Sequence, residues 1–381
     1  MKKAVMIFLL CCLATVLFCL YSLPGPFIYK KPDPFLNLQT HHSVGEEPNT
    51  QGGTGHAALT PIHTTARVEN ASSDAVVEVM STEGPTAGDG PTSSHRFLYL
   101  LQTEKCIPSN LRTNEALGNG NLDFDVLVLS FKHPCDDHAL SHVQYISGAS
   151  TTWTTGRNLL FETAMKWNTT YLYYIFMDDD VMLEDSEDRT VSPWRKFEAF
   201  LLSVEPAIAA TDLQSQDLLG RLRRTHKAKG CARREDAAYI GTLWYDAIFN
   251  AFHAKAVKHL LPYISTFDQQ TWWASQMGLI VRSEILFRGQ IAFLTKIHPR
   301  SGQSRPYPRN LNFTPDMYRQ FTSGLDAHFG PKCRTTCAQA MIDQWIAFGT
   351  NHGWDSVSLC LPPPPAHDPV EPCLYQCDLL K

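Results

Sequence analysis

Residues 171–180 read Tyr171-Leu172-Tyr173-Tyr174-Ile175-Phe176-Met177-Asp178-Asp179-Asp180, an unbroken apolar run that ends in three carboxylates. Aromatic and β-branched residues without polar alternation are the pattern of a strand buried on both faces, in the middle of a sheet covered by helices. The carboxylates then fall at the carboxyl end of that strand, where open α/β sheets bind ligands. Three adjacent negative charges at the rim of a core repel one another, and either solvent or a hard cation must offset that repulsion. Carboxylate oxygens suit magnesium or manganese. The competing structural reading is an acidic turn, extended by Glu184, Asp185, Glu187 and Asp188.

The chain has 381 residues, enough for one large domain or two modest ones with a sizeable core. Its formal net charge of -5 gives no electrostatic footing for non-specific nucleic-acid binding. Met1-Lys2-Lys3 precedes an apolar segment, residues 4–23, closed by Pro24-Gly25-Pro26. That length matches the hydrocarbon core of a bilayer and no charge interrupts it. A cleaved signal peptide would have a shorter apolar region and a small-residue cleavage site, so an uncleaved anchor is the expectation. Lys2 and Lys3 favour a cytoplasmic amino terminus, an asymmetry weakened by Lys30 and Lys31. Cys11, Cys12 and Cys19 lie in the apolar segment; the other eight are Cys106, Cys135, Cys231, Cys333, Cys337, Cys360, Cys373 and Cys377. An even number beyond a membrane suits disulfides in an oxidising compartment, with the pairing open. The spacings Cys333-x3-Cys337 and Cys373-x3-Cys377 also admit a zinc reading, which an oxidising lumen disfavours. Acceptor sequons at Asn70, Asn168 and Asn312 fit the same compartment.

From residue 32 to about 94 the chain is rich in Pro, Gly, Ser, Thr and His and has too little apolar surface to offset its ordering entropy. It reads as a flexible stem. Folded structure is expected from about Arg96: a strand at Phe97–Leu101, a short helix and turn over 110–121, and a strand at Phe124–Phe131. Next comes Gly156-Arg157-Asn158, opening a helix whose apolar face carries Leu159, Leu160, Thr163, Ala164 and Trp167. The triple-aspartate strand follows. Helices are expected over 194–204, 252–261 and 270–279, with Asp268 placed to cap the last, and strands over 207–210, 239–243 and 290–297. Strands alternating with helices imply a parallel sheet between helical layers. A basic stretch runs from Arg221 to Arg234. It is either a solvated loop, a lid over a diphosphate, or an attractor of acidic acceptors.

The order of these parts carries more than any one of them. Gly156-Arg157-Asn158 and its helix, then Tyr173 to Asp180, then Phe267-Asp268-Gln269-Gln270-Thr271-Trp272-Trp273, then His298 resembles the nucleotide-diphospho-sugar transferases of the GT-A fold over about residues 96–300. The resemblance implies an α/β catalytic domain, a mixed and mostly parallel sheet sandwiched by helices, over 95–325. A tail (1–3), a signal anchor (4–23) and a stem (24–94) precede it, and a Cys-rich extension (326–381) follows. It implies Asp178 toward the ribose or sugar and also on the metal together with Asp180, and Asp179 as a stand-in for Asp178 if the register shifts. His298 would be a third metal ligand, and Asp268 the base that takes the acceptor's proton. Arg157 would lie on the diphosphate, with a surface Arg at a helix start as the alternative, and Asn158 would lie beside it or simply cap the helix. Trp272 and Trp273 are candidates to stack on an acceptor sugar, or to fill core.

The expected protein is therefore a transferase moving a sugar from a nucleotide sugar to a glycan, protein or lipid acceptor with Mn²⁺ or Mg²⁺, and an inverting one if Asp268 is the base. It would sit in the Golgi membrane as a single-pass type II protein with a lumenal catalytic domain; the ER or secretion are the alternatives. Two other functions compete: a metal-dependent nucleotidyl- or phosphotransferase on a similar sheet, and a catalytically silent lumenal binding module.

Overall fold

A computed structural model of the chain describes residues 95–120, 123–137, 139–188, 190–211, 237–302, 308, 310, 312–330, 333–348 and 366–374. The tail, anchor and stem, the basic stretch 221–234, the sequon at Asn70, and Cys11, Cys12, Cys19, Cys231, Cys360 and Cys377 lie outside these residues. Among the described residues no helix is long and apolar enough to cross a membrane.

Ten strands and six α-helices are present among the described residues. The strands are β1 (Phe97–Thr103), β2 (Phe124–Ser130), β3 (Val143–Ser147), β4 (Tyr173–Asp178), β5 (Val181–Asp185), β6 (Ile208–Thr211), β7 (Tyr239–Gly241), β8 (Phe249–His253), β9 (Ile291–Leu294) and β10 (Ile297–Ser301). The helices are α1 (Trp153–Ala164), α2 (Pro193–Val204), α3 (Ala254–Leu260), α4 (Trp273–Phe287), α5 (Pro315–Thr322) and α6 (Thr335–Phe348). Eight strands form one sheet in the order β3-β2-β1-β4-β8-β6-β9-β7. β8 runs against β4 and β6, and β7 against β9, so six strands share one direction and two oppose it. The fold class read from the sequence, a mixed and mostly parallel sheet between helical layers, is the one observed.

The lack of alternation in β1 and β4 has the expected cause. Leu98, Leu100, Tyr174 and Phe176 enter one apolar layer, while Phe97, Tyr99, Leu101, Tyr173, Ile175 and Met177 enter the other. The first layer is closed by α1, α3, α4, α5 and α6, and the second by α2 through Trp194, Phe197, Leu201 and Val204. Pro193 opens α2, where its fixed φ suits the first helical position, and Glu205 ends it in the left-handed region at φ 52°.

Several local expectations are corrected. Phe252 and His253 belong to β8, not to a helix; α3 begins at Ala254, with the His253 ring accepting from Lys255 N at 3.1 Å. A fully buried strand running straight into a helix offers no change of period to separate them. The single strand expected over 290–297 is two: β9 in the main sheet, and β10, which pairs antiparallel with β5 in a separate ribbon. The helix placed over 110–121 is a 3-10 turn, Ser109–Arg112, followed by loop.

Cys106 pairs with Cys135, Cys333 pairs with Cys373 and Cys337 is likewise disulfide-bonded, which removes the zinc reading of the Cys-x3-Cys spacing. Trp345, Val370 and Cys373 join the core layer of α1 and α4, so the described residues after 325 reach into the same core.

Candidate active site

The carboxyl ends of β1 and β4 form one rim, with Gln102 and Asp178 adjacent in register. The first turn of α1 lies against it. Thr152 caps that turn: its hydroxyl accepts from Thr155 N at 3.1 Å, and the Thr155 hydroxyl accepts from Thr152 N at 2.8 Å. This reciprocal box satisfies two donors that a helix start would otherwise leave open. Close approach depends on Gly156. A Cβ there would sit 2.1 Å from Gln102 Nε2 and 2.8 Å from Leu129 Cδ2. With hydrogen in its place, Gln102 Nε2 reaches the Thr152 carbonyl at 2.9 Å.

Docking the helix here delivers two donors to Asp178. Its Oδ1 accepts from Trp153 Nε1 at 2.9 Å and from Arg157 Nη2 at 2.7 Å. The Arg157 side chain is 1% exposed and that of Asp178 31%. Arg157 Nη1 donates to the Ala247 carbonyl at 3.0 Å and to the Tyr263 hydroxyl at 3.3 Å, and its guanidinium lies 4.1 Å from the Trp153 ring centre. Burial opposes the charge on Arg157, but Tyr263 and Asp178 outweigh it and raise its pKa above the ordinary value. Arg157 is therefore neither the surface residue nor the exposed diphosphate contact expected of it; it is a buried strut that fixes a carboxylate. Asn158 is not a cap. Its amide donates to the Tyr263 carbonyl at 2.9 Å and its carbonyl accepts from Tyr263 N at 2.7 Å, which stitches α1 to the segment carrying that tyrosine.

The three aspartates occupy three environments. Asp178 ends β4 with Oδ1 held. Asp179 is buried. Asp180 is half-buried, its Oδ2 accepting from Ser301 Oγ at 2.5 Å and its carbonyl from Gly302 N at 3.2 Å. Residues 179 and 180 form a turn between β4 and β5, so the alternation of an extended chain does not relate Asp178 to Asp180. His298 lies inside β10 opposite Glu184, with its Nδ1 buried and without a hydrogen-bond partner. It is three residues from the serine that touches Asp180, about 10 Å along the strand and on the other face of the ribbon. The structure does not bring His298 to Asp180, because β10 starts one residue before the histidine instead of ending there.

Asp268 is 6% exposed. It does not cap α4, which starts at Trp273 after a turn in which Gln270 N and Thr271 N both donate to the Phe267 carbonyl at 2.8 Å. Instead its Oδ2 accepts from the Thr152 hydroxyl and its Oδ1 from Ser275 Oγ at 3.3 Å. Burial pushes its carboxyl above the ordinary value, and the hydroxyls of Thr152, Thr154 and Ser275 pull it partly back. Trp272 and Trp273 are both half-buried, and neither fills the core completely.

Asp178 and Asp268 are thus tied to consecutive residues, Trp153 and Thr152, at the start of one helix. Asp178, Arg157 and Asp268 were legible in the sequence; Gln102, Thr152, Trp153 and Tyr263 were not singled out. The available signal was Thr152 three residues before Thr155, a capping pair immediately ahead of Gly156-Arg157. Among the described residues no three His, Cys, Asp or Glu side chains gather as a metal cage. Magnesium-type cations do not require one, since one or two carboxylates plus substrate phosphates commonly hold them. Asp178 Oδ2, which carries no protein hydrogen bond among the described residues, and the Asp180 carboxylate are donors of that kind.

No family model and no curated protein matches the chain. A similar solved structure is a mannosyltransferase, PcManGT, from Pyrobaculum calidifontis in complex with GDP-Man and Mn²⁺. It is 11% identical, with a TM-score of 0.39, over 72% of this chain and 77% of that one.

Proposed function

We propose that the chain is a metal-dependent glycosyltransferase that takes a sugar from a nucleotide sugar and passes it to a glycan, protein or lipid acceptor. The observation that carries this reading is the division of labour at Asp178: two donors hold one oxygen, and the other is left without a protein hydrogen bond among the described residues, at a partly exposed strand end. Asp178 Oδ2 and Asp180 would hold Mn²⁺ or Mg²⁺ together with diphosphate oxygens of the donor. Bound there, the cation supplies charge neutralisation for the departing nucleoside diphosphate. Asp179 is buried in the turn that joins β4 to β5.

Asp268 is the candidate base for an inverting transfer. Its raised pKa makes it a better proton acceptor than an exposed aspartate, and the Thr152 hydroxyl orients the oxygen concerned. The disulfides at Cys106–Cys135 and Cys333–Cys373 favour an oxidising compartment. They accord with a lumenal catalytic domain behind a type II Golgi anchor, which remains part of the proposal.

The test is a panel of nucleotide sugars incubated with the protein and Mn²⁺, with products identified by mass. Transfer or slow donor hydrolysis with one donor is expected, and Asp180→Ala should abolish it while leaving the circular dichroism spectrum unchanged. A nucleotide phosphate found on the acceptor would replace this reading with nucleotidyl transfer. Full activity in Asp180→Ala, still requiring metal, would remove the triplet from the mechanism.

A further inference from the structure

Asp178 receives more fixation than a carboxylate at a strand end needs for stability. A half-exposed aspartate satisfies its oxygens with water at little cost, yet here a guanidinium has been taken out of water to meet it. Burying that charge is expensive unless its partners are well placed. Both donors, Trp153 Nε1 and Arg157 Nη2, converge on the same oxygen, Oδ1. Trp153 also lies over the guanidinium and packs edge-on against Tyr263 with ring centres 5.6 Å apart, so each part of the clamp holds another.

We infer that Arg157 and Trp153 are positioning residues that lock the rotation of Asp178, so that the carboxylate meets a cation through Oδ2 alone. A carboxylate free to turn can offer both oxygens, the mode that calcium uses in its larger and looser coordination shells. A carboxylate held to one oxygen suits the near-octahedral shells of small divalent ions. The clamp thereby becomes a source of discrimination against calcium. This inference rests on the metal-dependent reading above and adds residues that would never touch the ion.

The experiment uses the full chain and reads metal binding directly. Free Mn²⁺ is titrated by electron paramagnetic resonance, alone and with UDP, GDP or CMP, and Ca²⁺ is then added as competitor. Trp153→Phe keeps the ring over Arg157 and deletes one donor; Arg157→Lys keeps the charge and deletes the fork. Both variants are expected to bind Mn²⁺ about tenfold more weakly, the lower end of what groups that orient metal ligands contribute. Ca²⁺ should compete better against them than against the parent. Thermal melting of the same samples separates this from unfolding, and if Arg157→Lys does not fold, Trp153→Phe carries the test. Asp178→Asn distinguishes the two levels. If it loses Mn²⁺ binding while folded Trp153→Phe and Arg157→Lys keep the parent affinity and calcium discrimination, the positioning role is wrong and the functional reading stands. If Asp178→Asn binds Mn²⁺ and nucleotide as the parent does, the functional reading falls and the inference with it.

Discussion

Gly156→Ala is the smallest change that tests how the site is assembled. The added methyl would lie 2.1 Å from Gln102 Nε2, 2.6 Å from Gln102 Cδ and 2.8 Å from Leu129 Cδ2. Ordinary carbon contacts are about 3.5–4.0 Å, so α1 must withdraw or both side chains must move. Gln102 is the more flexible, but it is buried, its Oε1 already lacks a partner, and its Nε2 holds the Thr152 carbonyl at 2.9 Å. Swinging it away forfeits that bond, worth about 1 kcal/mol. Alanine's helix propensity returns about 1 kcal/mol. These two offset each other, and the overpacking against Leu129 remains, about 1–3 kcal/mol. Urea unfolding of the parent, Gly156→Ala, Gln102→Ala and the double variant would measure it. The double variant should recover much of the loss, giving a coupling energy of about 1 kcal/mol or more, as contacting residues do. Activity should fall beyond the loss of folded protein, because withdrawal of the first turn carries Thr152, Trp153 and Arg157 away from their carboxylates. A Gly156→Ala protein that is as stable as the parent, or more stable by its propensity gain, would refute the close approach. Strict additivity with Gln102→Ala would refute its cause.

Two further predictions concern the layers that hold the rim. Burial pushes the Glu198 carboxyl up from its ordinary 4.5 to about 7, against the opposing influence of Arg195 and of the Tyr99 hydroxyl that donates to it at 2.7 Å. The folded state therefore keeps a proton that the unfolded chain releases, so this group's contribution to stability is present below pH 4.5 and is lost as pH rises through about 7. At most about 3 kcal/mol is involved, and Glu198→Gln should remove that part of the slope in unfolding free energy; an unchanged slope in the variant would show that Glu198 is not its source. Asn158→Ala deletes both bonds to the Tyr263 backbone, at 2.9 and 2.7 Å, and should cost about 1–3 kcal/mol by thermal or urea melting. A loss below about 0.5 kcal/mol, the range of ordinary surface substitutions, would mean that the stitch is not needed.

The strands that face both core layers were legible because burial on two sides leaves an apolar run, as in β1, β2 and β4. β3 escaped notice: Val143-Gln144-Tyr145-Ile146-Ser147 is a short edge strand with two polar positions in five. β5 was hidden by its charges, which read in sequence as an acidic turn, while β10 was merged with the strand before it; Glu184 and Arg300 pair across this ribbon outside the main sheet. β8 was misassigned because its last residues, Phe252 and His253, run directly into α3 with no turn residue between the two elements.

The triplet shows where the sequence reading stops. Three identical residues in a row give no internal sign of which ends the strand and which begins the turn. The structure decides it through partners far along the chain: Arg157, 21 residues back, on the first, and Ser301, 121 residues on, touching the third. Periodicity reports which face a side chain takes, and it is silent about which element will meet that face. The consequence is sharp because alternation has a period of two. Had the pairing of β4 slipped by one residue, Asp179 would have taken the place beside Arg157 and Trp153, and Asp178 would have pointed into the layer that buries Met177. The position of that strand end, set by the pairing of β4 with β1 and β8, turns one aspartate of three into the clamped carboxylate.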